Sequence, residues 1–299
     1  MIKTKINLIS LPGKYFGIKS NFLEFLFKDY FNFLEYDETA SYDKHNSLFI
    51  KNIFQGKEWG EQMADKGYKV VVDNLPEIPV PTKFYCLTNK NWFWYRESLL
   101  TIQHNYNLYQ PTKSYKKLAF MPINRVKPER DELVLALKPF LQDFIYSYQT
   151  QSLPGDISKE DNLWQRYFNP DWYDQTYFSL VVETTIKEHG FITEKTFKPI
   201  AYKHPFLIFG QQHTLNALKN LGFETYNNLF DESYDTTADI KIKINQIIDN
   251  VKNFKQEPYD YLTLEKLEHN HNLFFNKELV IDKIKKEIIE PLIEYATTT

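Results

Sequence analysis

Residues 177–210, YFSLVVETTIKEHGFITEKTFKPIAYKHPFLIFG, decide the fold. The run 177–183 is continuously apolar apart from Ser179 up to Glu183, the pattern of a strand buried on both faces rather than one. A loop with Gly190 follows. Thr193 is a good N-cap, and Glu194 and Lys195 open a helix expected over 193–203. Residues 206–209 form the next strand, closed by Gly210. Strand, helix, strand in this order belongs to a parallel α/β sheet. It puts Glu183, Glu194 and Lys195 at a strand's carboxyl end or a helix N-terminus, where ligands of open α/β sheets sit. Free N–H groups and Lys195 suit a phosphate there, and a carboxylate suits ribose or sugar hydroxyls. The plainer reading stays open on the pattern alone: Glu194 complements the helix dipole and Lys195 is a solvated side chain.

A second stretch repeats the arrangement. KKLAFMPINRVKPER, residues 116–130, reads as a strand over 118–123, a basic loop, and a helix over 130–141 with Pro128 and Glu129 at its start. Arg125, Lys127 and Arg130 crowd this strand-to-helix turn, which is either an anion site or a solvated basic loop. Only four of the 36 basic side chains are arginine (Arg96, Arg125, Arg130 and Arg166), so two in one turn stand out.

Outward from these blocks, strands are expected at 5–10, 47–51, 68–74, 84–88 and 144–148. Helices are expected at 20–36, 58–66 (ending at Gly67), 214–221, 240–254 and 279–295. The polar segment 105–115 is the candidate linker. The division expected is 1–110, 111–276, and a C-terminal helix and tail over 277–299.

Composition excludes several classes. Of 299 residues 42% are hydrophobic, enough for a sizeable core, so disorder is not the dominant state. A net charge of −3 argues against a nucleic-acid partner held by a global basic surface. Cys86, the single cysteine, rules out an internal disulfide and a cysteine zinc site, with a mild lean to a cytoplasmic location. No stretch approaches the ~20 apolar residues of a membrane span. There is no Gly-x-Gly-x-x-Gly, no Walker A loop, no Gly-x-Ser-x-Gly elbow and no Asp-x-Asp pair. His269 and His271 form the only close histidine pair, read as a helix-end or loop feature rather than a metal site.

Together the two blocks resemble the donor-binding domain of the α1,3/4-fucosyltransferases, glycosyltransferase family 10. Asn124, Pro128 and Arg130 keep the order and spacing of one family motif. Phe178, Glu183, Phe191, Ile192, Thr193, Glu194, Lys195, Pro205 and Gly210 keep the order of the other. The resemblance covers about residues 118–210. Thr184 stands where the family has Asn, and Phe191 where it has Tyr.

The resemblance implies a GT-B fold, two Rossmann-like domains facing across a cleft. It implies an inverting glycosyltransferase that moves fucose or a similar sugar from a nucleotide diphosphate, GDP favoured, to a glycan or glycoconjugate hydroxyl. No metal or other cofactor is implied. Asn124, Arg125, Arg130, Glu183, Phe191, Thr193, Glu194 and Lys195 would form the donor site. Arg130 and Lys195 would neutralise the leaving diphosphate, and their removal would leave the melting temperature near wild type, while Lys127→Ala, outside the motif, would do far less. Glu194 would hold the ribose, and Glu183 the sugar or the loop. A carboxylate of the N-terminal half must deprotonate the acceptor; Asp73, Glu77 and Glu97, read as lying at or just after strand ends, are the candidates. The aromatic run 92–95 is either core or an acceptor platform. The alternative function is a non-catalytic nucleotide- or carbohydrate-binding protein of the same fold.

Overall fold

A computed structural model describes residues 5–10, 28–52, 57–73, 85–87, 91–149, 151, 169–184, 186 and 192–298. Glu77 and Phe191 lie outside the described residues. The chain divides into two compact units, residues 1–92 with 277–299, and residues 93–276. Each carries an all-parallel sheet, the α/β class expected.

In the first unit the strands β1 (Ile6–Ser10), β2 (Phe31–Glu35), β3 (Ser47–Asn52), β4 (Lys69–Asp73) and β5 (Tyr85–Leu87) pair in the order β2-β1-β3-β4-β5. Leu48, Phe49, Val70 and Val71 are fully buried, as continuous apolar strand runs require. Helix α1 (Lys57–Asp65) follows β3 and ends as expected at Gly67, whose φ of +83° suits a residue without Cβ. Ile9, Phe49, Met63 and Val70 form the core here, with Tyr36, Tyr42, Trp59 and Tyr68 packed against it.

One expectation fails in this unit. The helix expected over 20–36 is, in its described part, the strand β2, paired in register with β1 from Ile6↔Phe31 to Ser10↔Glu35. Phe31 is buried while Asn32 and Leu34 are exposed, a period of two. Five mostly apolar residues do not distinguish the two periods, and pairing with β1 decides.

The second unit opens with most of α2 (Trp92–Gln103) and holds β6 (Lys117–Pro122), α3 (Pro128–Leu137), β7 (Phe144–Ser147), α4 (Pro170–Asp174), β8 (Thr176–Val182), α5 (Glu194–Ala201), β9 (Phe206–Phe209), α6 (Thr214–Asn220), α7 (Ile240–Asn253) and α8 (Tyr261–Phe274). Its strand order is β7-β6-β8-β9. Helix α2 was not expected. It turns Trp94 and Tyr95 wholly inward, with Trp94 edge-on to Phe223 at 5.0 Å, so these two rings are core and not an acceptor platform. Helix α8 also went unread. His269 and His271 lie inside it, and no group that could hold a metal ion occurs among the described residues.

Residues 277–299 belong to the first unit. The single helix expected there is α9 (Lys277–Ile284), a π-turn (Lys285–Ile289) and α10 (Glu290–Thr297). Pro291 has no N–H for the carbonyl four residues back, and the wider turn precedes it. Lys69 Nζ donates to the carbonyls of Tyr295 at 3.0 Å and Ala296 at 2.8 Å, and Tyr295 stacks on Tyr85 at 4.5 Å. No helix among the described residues is long and apolar enough to cross a membrane.

Candidate functional site

The site is built at the carboxyl ends of β6 and β8, neighbours in the second sheet. After β8 the chain reaches Glu183, 1% exposed. Its Oε1 accepts from Thr193 N at 3.0 Å and Thr196 Oγ1 at 2.7 Å. Its Oε2 accepts from Thr193 Oγ1 at 2.5 Å and Thr184 N at 3.2 Å. A buried carboxylate needs such saturation. Glu183 therefore holds Thr184 and the start of α5 rather than facing outward.

Thr193 is the N-cap of α5, as expected, with φ −107° and its hydroxyl accepting from Lys195 N. Lys195 Nζ donates to Thr184 Oγ1 at 2.9 Å, Thr193 Oγ1 at 3.3 Å and Glu194 Oε1 at 3.0 Å. Its side chain remains 21% exposed. Thr184, one of the two residues that depart from the pattern the sequence resembles, thus orients Lys195 through its hydroxyl. Burial pushes the Glu194 carboxyl up, but Lys195 and Lys198 outweigh it and hold the group below its ordinary range.

The turn after β6 leans on this structure. Arg130 is 4% exposed, its Nη1 donating to Arg125 O at 2.8 Å and Nη2 to Glu183 O at 2.7 Å. Burial lowers its pKa, against the pull of Glu129 and Glu183. Lys127 Nζ donates to Thr184 O at 2.5 Å. Lys127 is therefore part of the same arrangement: Arg130 and Lys127 clamp consecutive carbonyls at the end of β8. Asn124 and Arg125 are exposed at the tip of the turn.

The base candidates separate. Asp73 closes β4, as expected. Glu97, expected at or just after a strand end, is instead inside α2, 1% exposed, with Oε1 accepting from Arg96 Nη2 at 2.9 Å and Nε at 3.1 Å. Helical spacing places it inward, in the second unit. Burial pushes its carboxyl up, while Arg96 and Lys198 pull it down and Glu194 pushes it further up. Lys198 is pushed down by burial against Glu97 and Glu194. A charge network of Arg96, Glu97, Glu194, Lys195 and Lys198 thus underlies the helix start. The sequence reading missed Arg96 and Lys198. The one available signal was the spacing of Glu194 and Lys198, four apart on a helix.

No protein-family model and no curated protein matches the chain. Among solved structures it is similar to a crystal structure of alpha1,3-fucosyltransferase, 12% identical over 94% of this chain and 92% of that one, TM-score 0.49. It is similar to alpha1,3-fucosyltransferase with GDP, 12% identical over 94% and 92%, TM-score 0.47. It is also similar to alpha1,3-fucosyltransferase with GDP-fucose, 12% identical over 91% and 90%, TM-score 0.45.

Proposed function

We propose that the chain is an inverting, metal-independent glycosyltransferase that moves fucose or a similar sugar from a nucleotide diphosphate, GDP favoured, to a glycan or glycoconjugate hydroxyl. The observation that carries this is Lys195. It is a partly exposed cation beside the first N–H groups of α5, held by Thr184, Thr193 and Glu194 at the carboxyl end of β8. A positive charge fixed there suits a diphosphate leaving group, because it stabilises the charge that grows as the sugar–phosphate bond breaks. Exposed Arg125 is the second cation available to the phosphates. Arg130 and Lys127 serve by holding the β8 terminus that carries Thr184. Glu194, kept ionised by Lys195 and Lys198, is suited to ribose hydroxyls. For the acceptor, Asp73 at the end of β4 and Glu77 just after it are the base candidates that stand, because Glu97 is committed to Arg96.

The test is nucleotide binding followed by transfer. GDP or UDP should raise the melting temperature in EDTA, and a nucleotide sugar should be consumed with a glycan acceptor present. Strict dependence on magnesium or manganese would count against the mechanism. Binding without any turnover would favour a non-catalytic binding protein.

A further inference from the structure

Beside the Lys195 site lies a cavity of about 290 Å³, at the carboxyl end of β9. It adjoins the site through Gly210: a Cβ placed there would sit 3.6 Å from Glu183 Cβ. Its polar lining is Gln211, Gln212, Thr237 and Lys243, and its apolar lining includes Ile186 and Ile240. Lys243 is 4% exposed, and its Nζ donates to Gly210 O at 2.9 Å. Gln212 Nε2 donates to Thr236 O at 2.6 Å, which fixes the amide at the rim.

This chemistry favours a neutral ring over a second phosphate. The one cation has the opposite charge of Asp235 near it and spends a hydrogen bond on a carbonyl. Amide and hydroxyl groups both donate and accept, as sugar hydroxyls do. Two isoleucines offer an apolar wall for the C–H face of a ring. The volume lies at the lower edge of the range for ligand pockets, about 300–1,000 Å³, so it has room for one ring rather than a nucleotide.

We propose that this cavity receives the sugar ring of the nucleotide sugar, with Lys243, Gln212 and Thr237 selecting its hydroxyls; the proposal rests on the reading of the chain as a glycosyltransferase. The test uses the full chain and calorimetric titration with GDP, UDP, GDP-fucose, GDP-mannose and UDP-glucose. Ala238 lines the same cavity and is exposed, so Ala238→Trp plugs it without disturbing the core. Gln212→Ala removes a rim amide, and Lys243→Met the buried cation. Ala238→Trp and Gln212→Ala should each weaken the best nucleotide sugar about tenfold relative to its bare nucleotide, whose own affinity stays within about twofold. They keep the test decisive if Lys243→Met fails to fold. Equal loss for nucleotide and nucleotide sugar, or no loss for either, would overturn the sugar subsite while leaving the transferase reading intact. Failure of the wild-type chain to bind any of the five compounds would overturn both.

Discussion

Lys195 and Arg130 carry the same charge in similar turns, yet burial separates what they do. Lys195 keeps 21% of its side chain in solvent, whereas Arg130 is spent on two backbone carbonyls. Lys195→Ala should therefore cut turnover roughly 30- to 1,000-fold, the usual loss of ~2–4 kcal/mol for a charged transition-state contact, with little change in melting temperature. Arg130→Ala should instead lower the melting temperature. It strands the buried carbonyl of Glu183, at about 1–3 kcal/mol for a buried polar group left unpaired. Thermal melts of both variants, read with initial rates against donor concentration, separate the roles. An Arg130→Ala protein that melts like wild type would show that the clamp contributes nothing.

At the scale of the element, α5 begins where Glu183 and Thr193 fix it. Thr193→Ala removes an N-cap, at about 1 kcal/mol, and also a donor to Glu183. Glu183→Gln keeps the shape but puts an amide N–H₂ where one oxygen accepted, so two donors face each other. Both should lower the urea midpoint, with Glu183→Gln the more damaging, and both should weaken nucleotide binding because Lys195 is carried on the same turn. A Glu183→Gln protein of wild-type stability would contradict this account of the helix start.

The strand β8 shows a second dependence on burial. His204 is fully buried, its Nε2 donating to Thr176 O at 2.9 Å, so Nδ1 accepts from Ser179 Oγ at 2.8 Å. Burial chiefly, with Lys113, pushes its pKa well below the ordinary value. The unfolded chain binds a proton near pH 6.5 and the folded chain does not, so this contribution is complete above that pH and lost as pH falls below it. Urea midpoints at pH 7.5 and 5.5 should therefore differ more for wild type than for His204→Asn. Equal differences would remove His204 as the source.

At the scale of the whole molecule, the first unit is completed from both ends of the sequence. Val280, Ile284, Ile288 and Leu292 are buried, and Lys69 and Tyr85 bind the chain near Tyr295. Deleting residues 277–299 should expose the first unit to limited proteolysis within residues 1–92, while residues 93–276 keep their resistance. Even cleavage of both units would argue against this division.

The sequence by itself determined the local frame. Continuous apolar runs marked β3, β4, β6, β8 and β9 because strands covered on both faces leave no polar alternation to confuse. Thr193 announced its cap, and Gly67 the end of α1, because capping is a contact over three or four residues. The turns carrying Arg125, Arg130, Glu194 and Lys195 were legible for the same reason. The tertiary structure alone decided what each charge does. Glu183 accepts from Thr193 and Thr196, ten and thirteen residues on, and Arg130 reaches a carbonyl 53 residues away. Lys243 meets Gly210 across 33 residues, and Lys69 meets Ala296 across 227. The strand β2 formed from a run read as helix because β1 offered a ladder. A charged side chain reads alike in sequence whether it faces water or a buried carbonyl. The difference is desolvation, and desolvation is set by whatever the rest of the chain packs around it.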